Sequence, residues 1–155
     1  MKTLKNIVLS AVAILSVVFV AGCSKDDLTI VKKGHLDFNK TIAIGQALDG
    51  YKYFEKKEWQ AVKTPKGGRL VIFKADMNPQ FIKELNETCG KQDPQVKTIE
   101  SQKWSIQFTI NKDNTVHISG TQTLSILTDK SKKTSALNEA LVKSVFENQL
   151  AVVCK

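Results

Sequence analysis

The chain has 155 residues, with 23 Lys and Arg against 15 Asp and Glu, and its formal net charge is +8 at pH 7. This length, with 42% hydrophobic residues, suits a single domain with a sizeable core. Arg69 is the only Arg in the chain. Because sequence-specific nucleic-acid readers depend on bidentate contacts from Arg, the composition argues against that class of protein.

Residues 1–22 have the three parts of an export signal. Two Lys lie near the start, a predominantly apolar segment follows at 7–20, and the small pair Ala21-Gly22 ends it. The apolar segment is shorter than the roughly 20 residues that a membrane-spanning helix needs. An uncleaved anchor helix is the alternative interpretation, but it gives no reason for the sequence Ala-Gly-Cys at its end.

The motif Val20-Ala21-Gly22-Cys23 resembles a bacterial lipobox. The resemblance implies that Cys23 is the first residue of the mature protein and carries a diacylglycerol, with a further palmitate-type chain on its amine. Two or more acyl chains hold a protein firmly in a membrane. Ser24 stands where many lipoproteins of the inner membrane have Asp, so the expected location is the outer membrane, with the domain facing the periplasm; exposure on the cell surface is the alternative.

The mature chain is expected to divide into a lipidated tether, residues 23–33, and one domain, residues 34–155. A flexible linker of this length spans roughly 20 Å. The apolar segment Leu28–Val31 could instead form a strand that docks on the domain. Cleavage removes two Lys and lowers the formal charge to +6, which indicates either a well-solvated surface or attraction to acidic lipids and wall polymers.

The segment 34–54 contains a short predicted helix, because Ile44, Ala47, Leu48 and Tyr51 recur at helical spacing. Together with Trp59 and the segment 69–73, it resembles small bacterial envelope lipoproteins of no assigned activity. That resemblance implies an envelope location and a shared fold but no catalytic residue. One aromatic group has two interpretations, core packing or an exposed binding patch; its members are Tyr51, Tyr53, Phe54 and Trp59.

Residues 58–62 and 69–75 predict a hairpin, since Pro65 and a Gly pair lie in the turn between them. The apolar run at 70–73 is typical of a well-covered strand. Asn78-Pro79 then predicts the start of a helix. The buried face of this helix is expected to contain Phe81, Ile82, Leu85 and Cys89. Gly90 is expected to end the helix.

A second predicted hairpin begins in residues 95–110 and turns at 111–114. Apolar residues alternate from Trp104 to Ile110, and Val116 and Ile118 resume the alternation after the turn. Gly120 is expected to mark a bulge. The polar residues between the apolar ones form a predicted partner-binding face of the sheet: Ser105, Gln107, Thr109 and His117.

The last part of the chain predicts a charged loop at 129–133 and a third helix capped by Thr134 or Ser135. The buried face of this helix is expected to contain Leu137, Ala140, Leu141 and Val145, and an apolar tail follows at 150–153. Cys89 and Cys154 remain after lipidation of Cys23. In an exported protein such a pair predicts a disulfide, with a catalytic thiol as the alternative.

These elements predict an α+β fold, an antiparallel sheet with helices packed on one face, in an order that resembles a doubled helix–hairpin unit. The chain's two histidines, His35 and His117, lie in different motifs, so we expect no catalytic site, metal site or cofactor. The predicted function is a lipid-anchored, non-catalytic binding module for an envelope protein or the cell wall, not for nucleic acid. The alternatives are an inhibitor of a lysozyme-type wall hydrolase and an envelope enzyme.

Overall fold

The computed structural model of the protein describes residues 25–152 and residue 154. The predicted signal segment and lipobox, with Cys23, lie outside the described residues. The described part contains four helices and one antiparallel sheet of five strands in the order β1-β2-β3-β4-β5, an α+β fold as predicted. The elements are α1 (Lys25–Lys33), α2 (Ile44–Gly50), β1 (Phe54–Lys63), β2 (Arg69–Met77), α3 (Pro79–Gln92), β3 (Ile99–Ile110), β4 (Val116–Leu127), β5 (Lys132–Ser135) and α4 (Glu139–Phe146).

The buried side chains of the central strands share one face of the sheet. Phe73 pairs with Ile106 and Val71 with Phe108, so these four side chains project from the same side. All four belong to one hydrophobic cluster that also includes residues from every described helix, among them Val31, Leu48, Phe81 and Val142. The alternation predicted from Trp104 to Ile110 is therefore confirmed.

The N-terminal boundary of the folded unit differs from the prediction, because Lys25–Lys33 is a helix and not a flexible tether or a strand. Asp27 and Val31, one turn apart, are both buried. Acidic residues lie in the first turn and basic residues in the last, which favours a helix through its dipole. The sequence pattern missed α1 because the buried partner of Asp27 lies far along the chain.

That partner is Arg69, at the start of β2. Its Nε and Nη2 atoms donate to Asp27 Oδ1 at 2.8 and 2.6 Å. Its Nη1 atom also donates to Asn114 Oδ1 at 2.9 Å, in the turn between β3 and β4. The Asp27 side chain is only 4% exposed, so the ion pair is well shielded from water. One guanidinium thus fixes α1 against the end of the sheet where two hairpin turns lie.

The helix after the first hairpin begins as predicted but ends later. Asn78 Oδ1 accepts a hydrogen bond from the Phe81 amide at 2.9 Å and caps α3. Gly90 does not end the helix, which continues to Gln92, and the Asp93 amide bonds the Cys89 carbonyl. Gly lowers helix propensity by only about 1 kcal/mol, which is too little to stop a helix that is held by packing.

The C-terminal prediction was partly wrong. The residues assigned to a loop and a helix cap instead form β5, in which Ser135 pairs with Thr123 of β4. Asn138 caps α4, with its Oδ1 accepting from the Leu141 amide at 2.9 Å. Ser135 and Asn138 are both good cap residues. Because Ser135 pairs with β4, the helix begins later and Asn138 is its cap. Leu137 is buried ahead of the helix, whereas Ala140 within it is exposed.

The helix–hairpin order occurs twice in the described chain, but the two units are unequal. The first unit is α2, β1 and β2, and the second is α3, β3 and β4. The elements α1, β5 and α4 fall outside this order. The resemblance to a doubled unit therefore describes the middle of the chain alone.

We expect Asp27→Ala to lower the free energy of unfolding by about 3 kcal/mol, because it leaves a partly buried guanidinium without its carboxylate. The measurement is urea unfolding of the segment from Ser24 to Lys155. Asp26→Ala is the matched control, since Asp26 is an exposed acid in the same helical turn. Equal losses of stability in the two variants would contradict a structural role for the ion pair.

Candidate functional site

The four residues predicted to bind a partner lie together on the sheet face opposite the core. Ser105, Gln107 and Thr109 alternate along β3 with the buried residues, and His117 of β4 is the Cα partner of Thr109. Ser105, Gln107 and Thr109 are half-buried, and His117 is exposed. The structure therefore brings the predicted residues together, while their role in binding stays a prediction.

This face is less polar than the sequence indicated. On β2, Leu70 pairs with Thr109 and Ile72 with Gln107, and both apolar side chains are partly exposed. The apolar run at 70–73 is thus covered on one side only, contrary to expectation. We name this surface the open face; within the described residues it comprises Glu58, Gln60, Val62, Leu70, Ile72, Lys74, Asp76, Ser101, Lys103, Ser105, Gln107, Thr109, His117, Gln122, Leu124 and Ile126.

A bulge in β4 explains why Leu124 and Ile126 belong to the open face. Phe108 pairs with Ile118, but the preceding Gln107 pairs with Gly120, so Ser119 is an extra residue. An inserted residue reverses the direction of every later side chain. The bulge expected at Gly120 is confirmed. Its consequence was not foreseen, because Thr121, Thr123 and Ser125 now project to the core side.

One end of the open face is rich in Lys. Asp76 forms two ion pairs, in which its Oδ1 lies 3.1 Å from Lys103 Nζ and its Oδ2 lies 3.7 Å from Lys56 Nζ. Lys74 is exposed nearby, beside Ser105 in the sheet register. These residues surround a shallow depression of about 430 Å³. Two carboxylates, Asp76 and Glu58, line the depression together with three Lys, so its lining carries charges of both signs with an excess of one positive charge.

The two edges of the sheet are poorly suited to pairing with another chain. In β1 the register shifts between Glu55 and Glu58, and Lys56 has a φ of 46°. β5 is four residues long, fully exposed and begins with two Lys. Bulges, short strands and Lys are common protections of sheet edges. A partner of this sheet is therefore more easily accommodated on the open face than along an edge.

The aromatic group near α2 is part of the core, which settles the alternative left by the sequence. Tyr51, Tyr53 and Phe54 are buried, and the Tyr51 and Phe54 rings are 4.7 Å apart. Trp59 is half-buried, with its ring 4.7 Å from that of Phe73. Its indole donates to Asp49 Oδ1 at 2.8 Å. The group does not form an exposed binding patch.

A cavity of about 340 Å³ lies on the core side of the sheet, and sequence reasoning missed it. Its walls come from α3 and the segment after it, the start of β3, the ends of β4 and β5, the start of α4 with the segment before it, and the C-terminal segment. Trp104, Thr123 and Ser125 line its buried part. The sequence signal was three hydroxyl residues at alternate positions of β4. These residues face inward because of the bulge, so the sequence pattern alone does not place them in the core.

The polar groups of the cavity form a short chain of hydrogen bonds. Trp104 Nε1 donates to Gln102 Oε1 at 2.8 Å, and Gln102 Nε2 donates to Ser125 Oγ at 2.9 Å. Nearby, Lys97 Nζ lies 2.8 Å from a carboxylate oxygen of Asp129. This hydrogen bond, with those from Ser131, holds the pKa of Asp129 far below its usual range. Asp129 therefore stays charged and compensates Lys97.

The predicted disulfide forms one wall of the cavity. Cys89, on the buried face of α3, is joined to Cys154; their Cα atoms are 5.2 Å apart and their sequence separation is 65. The bond attaches the C-terminal segment to α3. A disulfide in this position limits how far the cavity wall can move inward.

Two further findings concern the described residues, 25–152 and 154. None of their helices is long and apolar enough to cross a bilayer. No group of three or more His, Cys, Asp or Glu side chains among them is arranged to hold a metal ion. His35 and His117 are both exposed. No protein-family model matches the chain, and neither a curated protein nor a solved structure is significantly similar to it.

We expect Cys154→Ser to lower the free energy of unfolding by about 4 kcal/mol, the chain-entropy value for a loop of 65 residues. Urea unfolding of the oxidised protein and of the variant provides the measurement. Reduced wild type is the control and should match the variant. Two freely alkylated thiols in protein taken from an oxidising compartment, seen by intact mass, would contradict the pairing.

Proposed function

We propose that the chain is a lipid-anchored, non-catalytic binding module of the bacterial cell envelope. Its anchor is Cys23, and its domain faces the periplasm from the outer membrane. The export signal of residues 1–22 and the resemblance of the next motif to a lipobox support this location. The open face of the sheet is the proposed recognition surface.

The docking of α1 supports a position of the domain close to the bilayer. Only Ser24 separates Cys23 from the first described helical residue, Lys25. Two extended residues span at most about 7 Å, far less than a flexible tether of residues 23–33 would allow. The lipid therefore holds the domain by the end where Arg69 fixes α1.

The charge at that end of the sheet is compatible with an acidic membrane surface. The turn between β1 and β2 and the turn between β3 and β4 lie beside α1, because Arg69 contacts both Asp27 and Asn114. Exposed Lys63, Lys66 and Lys112 lie in or next to these turns. Lys side chains near anionic head groups add attraction to a lipid anchor.

The observation that carries the recognition proposal is the mixed chemistry of the open face. Ser105, Gln107 and Thr109 offer hydrogen bonds, while Leu70 and Ile72 offer partly exposed apolar area. Interfaces combine apolar area with polar groups in this way. The net positive charge of the chain favours a protein partner with an acidic surface.

The basic charge of the chain also separates this proposal from inhibition of a wall hydrolase. Many lysozymes are basic, and two positively charged proteins repel each other during encounter. An acidic envelope protein faces no such repulsion.

We expect Cys23→Ser to abolish membrane attachment, because the acyl chains can then no longer be added. Membrane fractionation and intact-mass analysis of the exported protein are the measurements. A Ser24→Ala variant, which leaves the lipidated residue in place, is the matched control and should remain attached. Normal processing and unchanged fractionation of Cys23→Ser would exclude the anchor.

We expect the double substitution Gln107→Glu and Thr109→Glu to weaken binding of an acidic partner at least tenfold, since it introduces two like charges at the centre of the open face. Crosslinking of the native lipidated protein in intact envelopes identifies the partner, and the purified pair gives the affinity. Gln95→Glu is a control that adds negative charge in an exposed loop remote from the face. Unchanged affinity of the double variant would place recognition elsewhere.

A further inference from the structure

We propose that the cavity beside the disulfide binds a medium-chain fatty acid, with its apolar chain inside and its carboxylate at the buried hydroxyl of Ser125. This site is distinct from the open face, and its argument depends neither on the lipid anchor nor on the partner proposed above. It rests on the size, lining and position of the cavity.

The size of the cavity is that of a ligand site. Its volume of about 340 Å³ lies in the range of small-molecule pockets, and it opens to the surface through its exposed rim. The volume corresponds to about eleven water-sized groups at roughly 30 Å³ each. A fatty acid of about eight to ten carbons has this size.

The lining of the cavity matches a molecule with an apolar body and one polar end. The apolar wall is made by the disulfide and by side chains from four elements or segments, among them Leu85, Ile99, Leu127 and Leu141. Within this wall, Ser125 Oγ accepts from Gln102 and keeps its own hydroxyl hydrogen for an acceptor. Thr123, on the same strand, donates its hydroxyl to the Ser135 carbonyl at 3.3 Å, so Ser125 is the hydroxyl of this pair that can donate to a ligand.

The hydroxyl of Ser125, and not the charge of the rim, favours an anionic head over a cationic one. Lys97, Lys133 and Asp93 line the cavity, and all three are exposed at its rim. Asp129 bonds Lys97 at 2.8 Å but does not itself line the cavity. The rim therefore carries charges of both signs. The Ser125 hydroxyl can donate to a carboxylate, whereas an alkyl ammonium offers it no acceptor.

The cavity lies at the end of the sheet that is far from the N-terminal helix. Ile99 and Leu127 pair at one end of the β3–β4 hairpin, and both line the cavity. Ile110 and Val116 pair at the other end, near Arg69 and α1. The length of β3 separates the cavity from the end of the domain to which the N-terminal segment is attached.

The test uses the segment from Ser24 to Lys155, which contains every core residue that the structure describes. Its methyl groups are followed by NMR during titration with decanoate below the micellar concentration, and circular dichroism confirms the fold of each variant. We expect saturable shifts in the methyl groups of Leu85, Ile99 and Leu127. Those of Leu70 and Ile72, on the open face, should not move.

Two variants and one control locate the site. Leu141→Trp fills the cavity from α4 and should weaken decanoate binding at least tenfold, and Ser125→Ala removes the hydroxyl and should weaken it about tenfold. Leu124→Trp adds the same bulk one residue from Ser125 but on the open face, and should leave the affinity unchanged. Binding unaffected by Leu141→Trp in a folded protein would overturn the proposal.

Two further probes identify the class of ligand. Decylamine has a chain of the same length and a cationic head, and should bind at least tenfold more weakly than decanoate. Dioctanoyl phosphatidylcholine, below its micellar concentration, tests a phospholipid as the source of the acyl chain and should cause no shifts, because its two chains and head group exceed the cavity. Absence of saturable decanoate binding, or equal binding of either probe, would overturn the assignment of a fatty acid.

Discussion

The bulge at Ser119 determines which side chains of β4 face each side of the sheet, and both candidate sites depend on it. Before the bulge, Val116 and Ile118 project toward the core. After it, Leu124 lies on the open face and Ser125 lines the cavity. Without the extra residue, the later part of β4 would bury its apolar side chains and expose its hydroxyls. The same backbone irregularity thus makes the core side locally polar and the open face partly apolar.

The two chain ends are fixed by different interactions at opposite ends of this sheet. The N-terminal helix is held by the ion pair between Asp27 and Arg69, whose oxygen and nitrogen atoms are 2.6 Å apart. The C-terminal segment is held by the disulfide to Cys89 and by a hydrogen bond of 2.8 Å from Tyr51 Oη to the Gln149 carbonyl. Both sets of contacts are made with the core side of the fold. The described parts of both ends therefore leave the open face accessible.

The sequence predicted those parts of the fold that local chemistry determines. The cap at Asn78, the two hairpins and the cysteine pair depend on residues whose preferences are strong. The helix α1 escaped prediction because its stability depends on Arg69, which lies 42 residues away. β5 escaped because its exposed, Lys-rich sequence has no apolar alternation and forms a strand only by pairing with β4. The proximity of Ser105, Gln107, Thr109 and His117 was predictable from alternation, but the cavity was not.

The cavity was not predictable because hydroxyl side chains of β4 face inward, and these same hydroxyls distinguish it from a packing defect. An inward-facing hydroxyl normally costs stability unless it finds a partner, and a hydrophobic residue would fill the space better. Here Ser125 is bonded by Gln102, which in turn accepts from the indole of Trp104, so the polar lining is organised over two strands. The opposite wall contains the disulfide, which joins α3 to the C-terminal segment. A cavity with this lining is stable without collapsing, and it presents a hydroxyl within an apolar wall, which is the arrangement that an amphipathic ligand requires.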